Sequence, residues 1–247
     1  TPIPRSLALT VFGDRDLTII KEKPKNRMAI ETLIISVKKI KQLLDKLGMQ
    51  MSKGQQVYWV CPLIEETENI HLSNSNDRFK YLKKEFSEFK VGLIHGQMSS
   101  EDKELELKRY NNREIDILVS TTVIEVGIDN SNATAIVIEN ANRFGLSQLH
   151  QLRGRVGRGS KKSYCFLMYD GNLSDQAIRR LKIMRDCQDG FEIAERDMAL
   201  RGTGDLLGTM QSGHNIFKLS EVMEEPELFL EAYKLAQETG TIIPKQG

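Results

Sequence analysis

Apolar residues along this chain alternate between short β-branched runs and longer stretches with helical spacing. The short runs predict buried strands over residues 28–36, 57–60, 91–95, 115–119, 133–139 and 164–169. In the longer stretches apolar residues recur every three or four positions, which predicts amphipathic helices. Strands that alternate with helices indicate βαβ units. The chain is therefore predicted to be an α/β protein with a mostly parallel sheet covered by helices on both faces.

Helix signals accompany each of these stretches. One helix is predicted over residues 38–51, and Phe79, Leu82 and Phe86 form the apolar face of another. Ser99 or Ser100 can cap a helix that runs to about residue 110. After residue 170 a helix over 174–187 and a second one opening at 189 lead into a glycine-rich segment. We predict four regions: 1–24, 25–172, 173–220 and 221–247.

Functional residues are expected at one edge of the predicted sheet. Parallel α/β sheets bind their ligands beyond the carboxyl ends of the strands. Polar and charged segments follow residues 60, 95, 119 and 139, where predicted strands end. The candidate site is therefore expected at this carboxyl edge.

The chain carries 35 Lys and Arg against 34 Asp and Glu, so net charge alone does not indicate nucleic-acid binding. One local cluster without acids is more informative, and it comprises Arg153, Arg155, Arg158, Lys161 and Lys162. Such a cluster on a neutral chain predicts a specific anion site. The three cysteines and four histidines lack metal-ligand spacing, so no metal site is predicted, and the cysteines are expected to be buried free thiols. No apolar run approaches the ~18 residues of a membrane span.

The most specific motif is Gln-x-x-Gly-Arg-x-Gly-Arg at residues 151–158. On a helix or helical turn, Arg155 and Arg158 would point to the same side, and neighbouring glycines would admit a phosphate or another surface. Forked guanidinium donors suit the charge that develops on a transferred phosphoryl group. A surface salt-bridge cluster or a contact to a phosphate backbone is the simpler alternative. The pattern resembles motif VI of superfamily 2 helicases, which implies a catalytic role for Gln151, Arg155 and Arg158.

A second motif runs from residue 117 to 129, where a buried strand ends in hydroxyls that precede a glycine and an acid. Strand-end hydroxyls suit phosphates, although N-capping and a turn would explain the same residues. The segment resembles helicase motif V. The resemblance implies that Thr121 and Thr122 contact nucleic acid, whereas Gly127 and Asp129 face the nucleotide.

Other segments extend the resemblance. Residues 1–5 resemble the end of motif III, with Arg5 in a coupling role, and residues 57–66 occupy the place of motif IV. His95 and Gly96 match a strand-end element whose loop approaches the nucleic acid. For His95 alone, an ordinary core or loop histidine is the simpler interpretation.

The region after residue 174 distinguishes the family. Two predicted helices and a glycine-rich loop over residues 174–213 resemble the translocation motif of RecG-type helicases and of the transcription-repair coupling factor. A helical hairpin whose glycines are C-caps is the alternative. The resemblance implies Arg201 and Gln211 as DNA contacts and Arg196 as a coupling residue. Residues 58–66 and 139–145 are closer to RecG. The implied fold is a RecA-like second helicase lobe followed by a helical hairpin and loop.

The sequence lacks the phosphate loop Gly-x4-Gly-Lys-Ser/Thr. The strand end at Glu139 is acidic, but without a phosphate loop it is not interpreted as a nucleotide site. The chain begins at Thr1 without an initiator methionine, so we interpret it as part of a longer protein. Bound ATP and Mg²⁺ are expected to rest mainly on a first RecA-like lobe of the same polypeptide. The resemblance further implies a DNA-wedge domain, branched or duplex DNA as partner, and no membrane partner.

The expected function is that of the second motor lobe of an ATP-dependent DNA translocase that remodels stalled forks and Holliday junctions in the bacterial cytoplasm. Two alternatives stay open at this point. One is the corresponding lobe of the coupling factor, which displaces RNA polymerase. The other is a module that binds nucleic acid and has lost the motor.

Overall fold

The computed structural model describes residues 28–62, 68–121 and 130–201, except the side chains of 68–74, 198 and 201. The chain divides into two compact units. The first comprises residues 1–2 and 23–193, and the second comprises residues 3–22 and 194–247. The four predicted regions with boundaries after residues 24, 172 and 220 stay a prediction.

The first unit is built on a sheet whose strands alternate with helices. The strands are β1 (Ile30–Ser36), β2 (Gln56–Cys61), β3 (Val91–Ile94), β4 (Ile117–Thr121), β5 (Ala133–Ile138) and β6 (Ser163–Tyr169). The helices are α1 (Ile40–Met51), α2 (Glu68–Glu85), α3 (Ser100–Asn111), α4 (Leu146–Arg153), α5 (Asp175–Asp186) and α6 (Gly190–Arg201), the last of which continues into the second unit from Ala194. Short 3-10 turns cover Val37–Lys39 and Ala141–Arg143.

The six strands pair in the order β1-β6-β5-β2-β4-β3, and every pairing is parallel. This arrangement confirms the predicted α/β class. All residues of β2 and β5 are buried. Because successive strand residues point to opposite faces, both faces of the sheet centre must be covered.

One hydrophobic core lies between the sheet and helices α1 and α2. It contains Trp59 of β2 together with Leu43 and Leu47 of α1 and Leu82 of α2, each of them fully buried. These leucines fall on the helix faces that the apolar spacing predicts. The other strand face carries Tyr58 and Val60, which are also buried.

Helix ends follow the capping chemistry of the sequence. Ser99 caps α3 by accepting a hydrogen bond from the Asp102 amide at 3.0 Å, as predicted. Ser174 caps α5 by accepting one from the Ala177 amide at 3.2 Å. Asp189 accepts from the Phe191 amide at 2.8 Å at the start of α6. Both helices predicted after residue 170 are therefore confirmed.

One predicted strand is displaced along the chain. The strand expected over residues 115–119 begins at Ile117 and ends at Thr121. Ile115 lies outside it, and its carbonyl oxygen accepts a hydrogen bond from the Gln56 side chain at 2.7 Å. Ser120 and Thr121 are consequently ladder residues opposite Val60 and Cys61. In the described ranges, no helix combines the length and the apolar character needed to cross a membrane.

Candidate functional site

The carboxyl edge of the sheet presents polar groups at the ends of β3 and β4. Ser120 and Thr121 close β4, and His95 directly follows β3. The two hydroxyl oxygens and the Nδ1 atom of His95 are buried, and no group of the described residues forms a hydrogen bond with them. Buried polar atoms without partners are uncommon in proteins. Thr121 is 3% exposed.

The loop after His95 is held from α3. Lys103 donates a hydrogen bond from Nζ to the carbonyl oxygen of Gly96 at 2.8 Å. Burial lowers the pKa of the half-buried His95 imidazole, and the Lys103 charge lowers this pKa further. His95 is therefore neutral at physiological pH and can donate or accept a hydrogen bond. A Cβ atom on the exposed Gly96 would meet no atom within 4 Å, so this glycine leaves open space beside the loop.

Arg155 and Arg158 lie at the opposite, amino edge of the sheet. Helix α4 ends at Arg153, and the chain then turns toward the first residue of β6. Gly157 has φ +73°, and a Cβ atom there would lie 2.7 Å from the side chain of Ile30, the first residue of β1. A Cβ atom on Gly159 would lie 2.9 Å from the Ser131 carbonyl oxygen, just before β5. These contacts fix the segment at the amino edge.

This position corrects two expectations. The site residues predicted from the sequence do not all lie at the carboxyl edge, because a strand of seven residues, or about 20 Å, separates the two edges. A shared helix does not align Arg155 with Arg158 either, since the left-handed Gly157 interrupts the helical turn between them. Gly157 and Gly159 leave room for the Ile30 side chain and the Ser131 carbonyl within the fold. These internal contacts, and not the approach of a bound phosphate, account for glycine at the two positions.

The predicted basic cluster is also smaller than expected. Arg153 is 2% exposed, and its guanidinium donates to main-chain carbonyls of α5 and the residue that follows it. Lys161 donates to Asn132 at 3.1 Å, and Lys162 pairs with Glu31 at 2.7 Å. Arg155 is half-buried, while Arg158 is exposed and donates from Nε to the Gly154 carbonyl at 3.3 Å. The five basic residues therefore do not form one exposed cluster, and the predicted anion site stays a prediction.

Sequence reasoning missed a polar cluster around Glu139. This carboxylate accepts hydrogen bonds from Trp59 Nε1 and from Arg78, whose guanidinium also lies 5.6 Å from the Trp59 ring centroid. Burial raises the pKa of the neighbouring Cys61 thiol, and the Glu139 charge raises it further. The acid at the end of β5 is therefore held within the fold. The sequence signals of this cluster were limited to an aromatic residue, Trp59, in one strand and an acid, Glu139, at the end of another.

Several predicted site residues lie outside the described residues: Arg5, Thr122, Gly127, Asp129 and Gln211. Arg201 ends α6, but its side chain is not described. Arg196 is exposed on the same helix, in the second unit. Gln151 is exposed on the last turn of α4, upstream of the arginines.

The described residues contain no group of three His, Cys, Asp or Glu side chains that could hold a metal ion. The cysteines Cys61, Cys165 and Cys187 are buried and free, as expected. A phosphate group is a better match to the donor set, because Arg155 and Arg158 carry forked cationic donors. The two arginines are therefore chemically suited to a phosphate group.

Comparison with known proteins identifies the family of the chain. The model of the helicase conserved C-terminal domain matches residues 37–160. The chain belongs to this helicase family. A second model, the C-terminal part of domain 3 of ATP-dependent DNA helicase RecG, matches residues 187–239. The similarity to RecG-type helicases inferred from the sequence is therefore confirmed.

Individual relatives cover nearly the whole chain. ATP-dependent DNA helicase RecG of Synechocystis sp. is 48% identical over 238 residues, which are 96% of this chain and 28% of the relative. RecG of Escherichia coli is 41% identical over 247 residues, 100% of this chain and 36% of the relative. A solved structure of RecG bound to a three-way DNA junction aligns with a TM-score of 0.72 at 40% identity, covering 93% of this chain and 29% of that one. The chain thus spans about a third of the length of these relatives.

Proposed function

We propose that this chain is the second motor lobe of an ATP-dependent translocase that acts on double-stranded DNA and remodels branched DNA in recombination and repair. It would work with a first RecA-like lobe and a DNA-wedge domain of the same polypeptide. One observation carries the proposal. The residues suited to phosphoryl chemistry and those suited to DNA lie at opposite edges of one sheet, so this lobe can contact nucleotide and DNA at the same time.

The amino edge is the proposed nucleotide side. Arg155 and Arg158 would hold the terminal phosphates, and Gln151 on α4 lies directly upstream of them. ATP, when bound, supplies a phosphoryl group whose developing negative charge these arginines would stabilise. The segment that contains Gly127 and Asp129 leads to Asn130 and to Ser131, which Gly159 contacts. This neighbourhood supports their proposed role at the nucleotide.

The carboxyl edge is the proposed DNA side. The unpartnered hydroxyls of β4 and the imidazole of His95 are hydrogen-bonding groups of the kind that contact phosphates and sugars. The open space at Gly96 permits close approach of a DNA backbone. We assign Thr121, Thr122, His95 and Gly96 to this contact.

The proposed translocation element follows α5. In it Arg201 and Gln211 would contact DNA, while Arg196 and Arg5 would couple the lobes. The match of residues 187–239 to the RecG domain 3 model supports this assignment and favours RecG over the coupling factor. The junction-bound RecG structure supports branched DNA as the partner. A module that only binds nucleic acid would not require an arginine pair at the edge opposite to its DNA contacts.

The experiment uses the full-length protein and its Arg158→Ala variant, with Arg158→Lys as the matched control for charge. Remodelling of a synthetic replication fork, duplex-stimulated ATP hydrolysis and DNA binding are measured in parallel. We expect Arg158→Ala to lose remodelling and hydrolysis while it keeps DNA binding. Arg158→Lys should recover little of either activity, because lysine lacks the forked donors of a guanidinium group. Normal hydrolysis in Arg158→Ala would refute the arginine's role. Wild-type protein without fork activity would refute the function.

A further inference from the structure

A buried amide network lies at the amino ends of β2 and β5. Gln56 is 2% exposed, and its Nε2 donates to the carbonyl oxygens of Tyr110 at 2.6 Å and Ile115 at 2.7 Å. Its Oε1 accepts from the Asn130 side chain at 3.2 Å. The main-chain N–H of Asn132 donates to Asn130 Oδ1 at 2.9 Å. Because its amide groups have partners, the network holds its residues in one arrangement.

The network extends to the surface through a single lysine. Lys161 Nζ donates to Asn132 Oδ1 at 3.1 Å, while Asn132 Nδ2 donates to the Gly54 carbonyl at 2.9 Å. The backbone of Gly159 packs on the Ser131 carbonyl next to this bond. Residues 131 and 132 are therefore fixed to residues 159 and 161.

The hydrogen bond between Lys161 and Asn132 lies close to Arg158 along the chain. Lys161 follows Arg158 by three residues. Three residues span at most about 10 Å. Residues 154–159, here called the arginine turn, form no helix or strand, so contacts of this kind hold them in place. A fixed point this close restricts where Arg158 can lie.

We infer that Lys161 and Asn132 are positioning residues, which hold the arginine turn in place for phosphoryl transfer. The inference rests on the proposed function. Neither residue needs to touch the nucleotide. A single hydrogen bond from an exposed lysine contributes little to folding stability, so its effect should appear in the rate of hydrolysis and hardly in the melting temperature.

The test measures duplex-stimulated ATP hydrolysis by the full-length protein with Lys161→Met. Lys162→Met is the matched control, since this neighbouring exposed lysine pairs with Glu31 instead. We expect Lys161→Met to lower kcat by about three- to tenfold, the range of one lost hydrogen bond. The KM for ATP, the Kd for duplex DNA and the Tm should stay close to wild type. Lys161→Arg keeps a donor and should recover most of kcat.

A double-mutant cycle separates positioning from direct contact. If Lys161 acts through Asn132, then Asn132→Ser should also lower kcat, and adding Lys161→Met should lower it little further. Additive effects would mean that Lys161 contacts a ligand itself and would overturn the inference. The exposed Lys161 variants keep the test decisive if Asn132→Ser does not fold.

Three further results would each overturn the inference: unchanged kcat in Lys161→Met, an equal loss of kcat in Lys162→Met, or a raised KM for ATP in Lys161→Met without a lowered kcat. Those results leave the proposed function intact as long as Arg158→Ala is inactive. An active Arg158→Ala protein would instead remove the proposed function on which the inference rests.

Discussion

The guanidinium of Arg153 donates a hydrogen bond of 2.8 Å to the main-chain carbonyl oxygen of Cys187, just beyond the end of α5. The same nitrogen donates to the Met184 carbonyl at 2.7 Å, and the second terminal nitrogen contacts His150 Nδ1 at 3.1 Å. Carbonyl groups at a helix end have no partner within the helix. Arg153 therefore caps α5 from α4 and joins the arginine-bearing segment to the region that follows the sheet.

Replacing Arg153 by methionine should destabilise the protein by about 2–4 kcal/mol, because buried carbonyls lose charge-assisted hydrogen bonds. The measurement is the free energy of unfolding from urea titrations. Arg179→Met is the matched control, since Arg179 is exposed on α5 and its loss should change stability by about 0.5 kcal/mol or less. Equal stability of the two variants would contradict the capping role.

Gly157→Ala should destabilise the protein more than Gly54→Ala. Both glycines have positive φ, at +73° and +71°, so both variants bear the cost of a left-handed alanine, about 1 kcal/mol. Only at Gly157 does the new methyl group meet a side chain, that of Ile30 at 2.7 Å, and this should add about 1–3 kcal/mol. Unfolding titrations measure both values.

A second substitution tests the cause. Ile30→Ala removes the atoms that the new methyl group would contact. In the Ile30→Ala background, Gly157→Ala should therefore cost no more than Gly54→Ala does in wild type. A persistent excess cost would show that Ile30 is not the obstacle.

Stability should fall at alkaline pH because of the buried thiols. Burial raises the pKa of Cys165 from 9.0 to about 12, and the Arg153 charge offsets part of that rise. Above pH 9 the unfolded chain releases this proton while the folded protein keeps it, so unfolding becomes easier. The stability that the buried, protonated Cys165 thiol contributes is complete below pH 9 and is lost as pH rises toward 12. The expected slope is about 1.4 kcal/mol per pH unit for one thiol.

Urea unfolding at pH 8, 9, 10 and 10.5 measures this slope in wild type and in Cys165→Ala. The stability of Cys165→Ala should fall less steeply with pH than that of wild type, whatever the stability of the variant at pH 8. Cys61 and Tyr110 also have pKa values raised by burial, so some slope should remain. Identical slopes in the two proteins would contradict the account.

Much of the fold could be predicted because it depends on local patterns. The apolar runs of β2 and β5 mark the sheet centre, and Ser99 and Ser174 mark helix starts by their side-chain chemistry. The apolar spacing of α1 predicts the face that contacts the sheet. Each of these signals lies within about a dozen neighbouring residues.

The arrangement of the candidate site could not be predicted in the same way. Arginine is usually exposed, and nothing near Arg153 in the sequence indicates that it binds carbonyls more than thirty residues away. The edge at which Arg158 lies depends on Gly157 packing against Ile30, a contact between distant segments. The motif predicts which residues form the candidate site, but only the tertiary structure shows where they lie.

The central claim is that the two edges of the sheet serve different ligands. Its most direct test compares His95→Ala and Arg158→Ala in the full-length protein, measuring the duplex concentration for half-maximal ATP hydrolysis and the kcat at saturating duplex. His95→Ala should raise that duplex concentration about five- to tenfold and keep kcat. Arg158→Ala should keep DNA affinity and lower kcat by roughly a thousandfold. If His95→Ala lowers kcat alone, or Arg158→Ala weakens DNA binding alone, the assignment of the two edges is wrong.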